Sequence, residues 1–175
     1  MLSRGPRYDQ GMGMENPVGS SSRAGEPVFR SLALEAIPEP DYADVIVVPC
    51  RQSATSDPRA WADTVFSRSA MPRWVLALMA LRQQLVGLAG IPKAPADVFA
   101  VSRVAGEEAL ITAEDRHLDF SCGVAFDAAS HLLRVTTAVR LKGWRGRLYF
   151  VPVRVLHPLV LRAMMLRAAR VLARN

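Results

Sequence analysis

His117-Leu-Asp-Phe-Ser-Cys-Gly-Val-Ala-Phe-Asp-Ala-Ala-Ser-His-Leu-Leu-Arg-Val-Thr-Thr-Ala-Val-Arg-Leu-Lys142 decides the fold. Apolar side chains fall at every second position on both sides of Asp127-Ala-Ala-Ser130, so the segment predicts a β-hairpin. With Phe126 opposite His131, Leu118 faces Val139, Phe120 faces Thr137, Cys122 faces Val135 and Val124 faces Leu133, all on one side. The other side pairs His117 with Arg140, Asp119 with Ala138 and Ser121 with Thr136. A slip of one residue would mix the two sets, so the pattern predicts one apolar face and one wet face.

Upstream, residues 97–104 and 108–114 have the same β-rich composition and are separated by Ala105-Gly106 and Asp115-Arg116 turns, which extends the hairpin into an antiparallel meander. Residues 43–50 are short, β-branched and stopped by Pro49, as suits a first strand. Asp57 before Pro58 is a helix start, giving a short helix over 60–67. A second helix follows Pro72, with Trp74, Leu78, Leu81, Leu85 and Leu88 on one stripe and Gly87, Gly90 and Pro92 as its stop. Arg82 falls inside that apolar arc, either as a snorkelling stem or as an anion anchor at the mouth of a pocket.

Downstream, residues 142–147 read as a glycine-broken basic loop and 148–155 as a short apolar run. A helix is expected over 158–173. Leu161, Met164, Met165, Ala168, Val171 and Leu172 share one side of it, while Arg162, Arg167, Arg170 and Arg174 share another. His157 is expected to cap or border this helix. Residues 1–27 are rich in Gly, Ser, Pro and Arg and read as a disordered leader, in which Met12 and Met14 offer later translation starts. Residues 28–175 then form a single domain of ordinary size. The order of elements predicts an α+β helix-grip plan: a curved antiparallel sheet packed on a long C-terminal helix, with two shorter helices after the first strand.

Half of the 175 residues are hydrophobic and two are cysteine, which excludes wholesale disorder and a disulfide framework. The net charge is +6, but residues 128–175 hold ten basic side chains and no acid, leaving −4 for the rest. That asymmetry admits an anionic partner, or pairing of the two halves within one fold. The apolar stretch 151–173 is interrupted by Arg154, His157, Arg162, Arg167 and Arg170, so no membrane span is expected. The first residues lack the apolar core of a signal peptide, and the expectation is a cytoplasmic protein with reduced thiols.

Pro72-Arg-Trp74 through Leu81-Arg82, Arg116-His-Leu-Asp-Phe120, Thr136-Thr137 with Val139-Arg140, Gly146-Arg-Leu-Tyr149 and Leu156-His-Pro158 resemble an uncharacterised bacterial family. That family is a domain-of-unknown-function group allied to the START and birch-pollen-allergen-like (SRPBCC-type) superfamily. The resemblance covers roughly residues 29–173 and implies a helix-grip fold with an internal pocket. The superfamily includes lipid carriers, hormone receptors and polyketide cyclases, so the fold does not fix the function. Some relatives are fused to NAD-binding epimerase-like domains, but no Gly-rich dinucleotide motif appears here and no cofactor is expected.

The leading expectation is non-catalytic binding of a small apolar or amphipathic molecule between the sheet and the C-terminal helix. Trp74, Leu78, Phe120, Val135, Val139, Leu161, Met164 and Met165 would line the enclosure, with Arg82 at the ligand's polar end. The two methionines suit a pocket that repacks. Two alternatives stand beside it. One is an enzyme of cyclase or hydratase type in the same cavity, favoured if two titratable groups lie within hydrogen-bond reach. The other is a module docking on an anionic membrane surface through Trp144, Lys142, Arg145 and Arg147.

His117 and Asp119, with Arg140 nearby, form a polar cluster. Asp115, His117 and Asp119 alternate as metal ligands would, but Arg140 would repel a cation, so no metal is expected. Ser121 and Cys122 lack a nucleophile elbow, and Cys50 lacks an activating base. No zinc-finger, helix-turn-helix or RNA-recognition signature supports nucleic-acid binding.

Overall fold

The computed structural model describes residues 29–50, 55–78, 80, 99–114 and 116–173. In chain order these form α1 (Leu32–Ala36), β1 (Tyr42–Pro49), α2 (Pro58–Val65), β2 (Val101–Ala105), β3 (Glu108–Glu114), β4 (Leu118–Asp127), β5 (Leu132–Leu141) and α3 (Gly143–Leu172). Residues 73–78 are also helical. The strands make one antiparallel sheet in the order β1-β5-β4-β3-β2, and α3 packs against it. The α+β plan is therefore the one the sequence predicts, with short helices after the first strand. The leader over 1–27, Arg82, Asp115 and most of the helix expected after Pro72 lie outside the described residues.

The central hairpin differs from its expected register by one rung. Phe120 pairs with Val139, Cys122 with Thr137, Val124 with Val135 and Phe126 with Leu133. The turn explains the shift. The Asp127 carboxylate accepts hydrogen bonds from the amides of Ala129 (2.8 Å) and Ser130 (3.1 Å), while His131 takes a left-handed conformation (φ 54°). The loop is thus 128–131, and Asp127 pairs with Leu132. Because the pair sum changes by two, each side chain keeps its face and only its partner changes.

On the apolar face Cys122, Val124, Phe126, Leu133 and Val135 join Ile111 and Val48 in the main core. Trp61 of α2, fully buried, stacks on Phe126 at 4.8 Å between centroids. The opposite face is not simply wet. Ser121, Thr136 and Ala138 are buried there, with Ala33 of α1 and Ile37 just after it packed on Ala138. This short helix escaped the sequence pattern.

The expected basic loop over 142–147 and the apolar run over 148–155 are instead the first half of α3, which continues unbroken through Pro152 and Pro158. Each proline removes one helical hydrogen bond, but packing on both sides holds the helix together. Phe150 meets the Tyr42 ring at 5.1 Å before Pro158, and Val160, Leu161, Met164 and Met165 are buried after it. Gly143 turns the chain out of β5 at φ 68°. Gly146 then lies against the chain just before β4 so closely that an added Cβ would overlap the His117 carbonyl oxygen. Gly146→Ala should therefore destabilise the fold by about 1–2 kcal/mol in urea unfolding, because the clash with fixed backbone outweighs the better helix propensity of alanine.

Candidate functional site

Alternation along β1 turns Tyr42, Asp44, Ile46 and Val48 toward the core face, beneath α3. Phe150 and His157, seven residues apart, share the helix face that meets this end of the strand. The outcome is a polar cluster in an otherwise apolar interface. The Tyr42 hydroxyl donates to Asp44 Oδ2 at 2.7 Å, and His157 Nδ1 stands 2.9 Å from the same oxygen. The side chains of Asp44 and His157 are 16% and 21% exposed.

Burial alone would push the Asp44 carboxyl up, but the contacts from His157 and Tyr42, the charge of His157 and the nearby Thr137 hydroxyl outweigh it. The group is held below the ordinary carboxylate range. Asp44 is thus an anion at neutral pH, with the Tyr42 hydroxyl and His157 Nδ1 both directed at Oδ2. The other carboxylate oxygen, Oδ1, is buried and takes no hydrogen bond among the described residues. Thr137 is the register partner of Asp44, and its hydroxyl oxygen is likewise buried without a partner in hydrogen-bond geometry. Burial, then the adjacent carboxylate, raise the Tyr42 hydroxyl, which stays a donor. Cys122 lies on the next strand opposite Thr137; burial first, then Asp44 and Glu108, push its thiol up and leave it protonated.

The residues expected around a ligand fall into two groups. Phe120, Val135, Val139, Leu161, Met164 and Met165 all come to the interface of sheet and α3, and Leu78 packs against its edge. Trp74 is instead 49% exposed, and Arg82 is outside the described residues. Of the polar cluster, Asp119 and Arg140 are register partners, and Asp119 is bridged by Lys142. The His117 carbonyl accepts the Lys142 amide at 2.7 Å. No group of three or more potential metal ligands occurs among the described residues.

Tyr42, Asp44 and His157 were missed by sequence reasoning. The signal for Asp44 was present, since an acid sits in step with Ile46 and Val48 on a strand that is otherwise apolar. His157 is not a cap or border; it lies inside α3.

A second polar group lies on the opposite face. Glu108 accepts from Ser31 Oγ (2.5 Å) and the Leu32 amide (3.1 Å), with Arg134 at 3.8 Å. It borders an open groove of about 380 Å³ lined by Val47, Ala125, Leu132 and Arg134. Here the Glu108 carboxylate already has its donors in Ser31 and Leu32, and it serves the packing of α1.

No curated protein and no solved structure matches the chain. One family model does, over residues 36–164, a span that contains Tyr42, Asp44, Thr137 and His157. The chain belongs to the family described as Protein of unknown function (DUF2867).

Proposed function

We propose that this protein binds a small apolar or amphipathic molecule between the sheet and α3 without transforming it, and that Asp44 receives the molecule's polar end. The observation that carries this reading is a buried, ionised carboxylate on an apolar interface, whose Oδ1 has the Thr137 hydroxyl nearby but no hydrogen bond of good geometry. A buried acceptor left unfilled costs about 1–3 kcal/mol, and a hydroxyl or amine donor on a ligand relieves that cost. The half-buried side chains of Phe120 and His157 border the molecule, while Val135 and Met165, which expose nothing, form the packed floor. Two free, buried cysteines suit a cytoplasmic setting.

Fluorescence titration with a dansylated alkylamine tests the proposal. Binding should saturate at one molecule per chain, weaken about tenfold in Asp44→Asn, and exceed that of the matched alkyl carboxylate. Absence of saturable binding, or equal affinity in Asp44→Asn, would sink it.

A second reading, catalysis of cyclase or hydratase type, rests on the 2.9 Å contact of His157 with Asp44, the arrangement of a base oriented by a carboxylate. It predicts hydrogen–deuterium exchange at a carbon acid next to the carbonyl of a bound probe ketone, lost in His157→Gln.

A further inference from the structure

Helix α3 carries two apolar faces, and the core uses only one. Phe150, Leu161, Met164, Met165 and Leu172 are buried. Trp144, Leu148, Val151, Val155 and Leu159 follow one another at helical spacing on the far side, each between 56% and 69% exposed. Their line is about 22 Å long at the rise of an α-helix. A continuous exposed stripe of large apolar side chains marks a contact surface.

We propose that this stripe docks the protein on an anionic lipid surface, with α3 lying flat in the headgroup region. Charge identifies the occupant. Arg145 flanks the stripe on one side, Arg147 and Arg154 on the other, and Arg162 continues its line. All four are exposed and none takes a carboxylate partner among the described residues. No acid occurs anywhere in 128–175. Arg145 lies over the Trp144 ring at 5.5 Å, an amphipathic pair suited to headgroup depth. A second copy of the chain fits poorly, because antiparallel pairing of the stripes would oppose arginines with no carboxylate to answer them.

The helix is long and apolar enough to cross a membrane by length and composition. Spanning would, however, strip Phe150, Leu161 and Met165 from the core, so the helix lies on the surface instead. The stripe faces away from Asp44, and the proposal is independent of the ligand site.

Flotation of the full chain with vesicles of phosphatidylcholine containing about one-third phosphatidylglycerol, beside vesicles of phosphatidylcholine alone, tests it. Anionic vesicles should retain the protein roughly tenfold better, with the difference shrinking as salt rises. Leu148→Asp with Val155→Asp should abolish retention and leave the thermal melt unchanged. Arg147→Gln with Arg154→Gln should remove most of that tenfold preference for anionic vesicles while keeping the apolar stripe intact. Equal retention by the two vesicle types, or full retention of either double variant, overturns the proposal. So does a concentration-dependent dimer, broken by the aspartates, that floats with neither vesicle.

Discussion

Glu108→Ala should lower the unfolding free energy by about 3 kcal/mol in urea denaturation, while Glu108→Gln should lose about half as much. Glu108, 8% exposed, places its carboxylate at the N-terminus of α1, where it accepts from the Ser31 hydroxyl and the Leu32 amide. Ser31 in turn caps the Ala33 amide at 3.3 Å. A helix of five residues has no stability of its own, so its place depends on this external acceptor and on its contact with Ala138. Glutamine keeps the volume and one acceptor, whereas alanine leaves both donors unfilled. The Arg134 pair adds little, because it is long and the arginine side chain is 32% exposed. Gly123 completes the arrangement, since an added Cβ there would overlap Glu108 and crowd Ser31. Equal loss in the alanine and glutamine variants would show that filled volume, rather than the acceptor, holds α1.

The parts of this architecture that were legible in sequence are those fixed by periodicity. Alternation in β4 and β5 placed Cys122, Val124 and Phe126 on the core face, and that assignment survives the one-rung shift because strand parity is insensitive to it. The turn chemistry was less legible. Asp127 both ends a strand and caps the loop, and the left-handed His131 removes itself from the ladder. Helix α1 was invisible because its stabilising acceptor comes from Glu108, 76 residues away from Leu32.

Pro158 misled the reading of α3 for a different reason. Proline at a helix start and proline inside a packed helix look alike in sequence, and only the packing of Phe150 on Tyr42 separates them. Once α3 is extended backward through Pro158, His157 turns inward and meets Asp44. The candidate site therefore depends on a long-range juxtaposition of two positions 113 residues apart. Its carboxylate was readable from strand parity, and its imidazole was not.

Asp44→Ala should cost about 2–3 kcal/mol of stability at neutral pH, with a pH dependence that identifies the cause. The substitution leaves the Tyr42 hydroxyl and the His157 ring without their shared acceptor inside the interface. Asp44→Asn keeps an acceptor for Tyr42 and should cost only about half as much. Because the folded carboxyl is held below its unfolded value of about 3.9, its contribution is complete above that pH. The contribution is lost as pH falls through the folded value, where protonation removes the charge that His157 and Tyr42 stabilise. The difference between wild type and Asp44→Ala should therefore be constant from pH 6 to 8, within about 0.5 kcal/mol, and shrink below about pH 4. Acid unfolding monitored by circular dichroism checks this directly. A difference that persists undiminished at the lowest pH at which both proteins fold would mean that Asp44 contributes through packing alone, and the anionic anchor for a ligand would go with it.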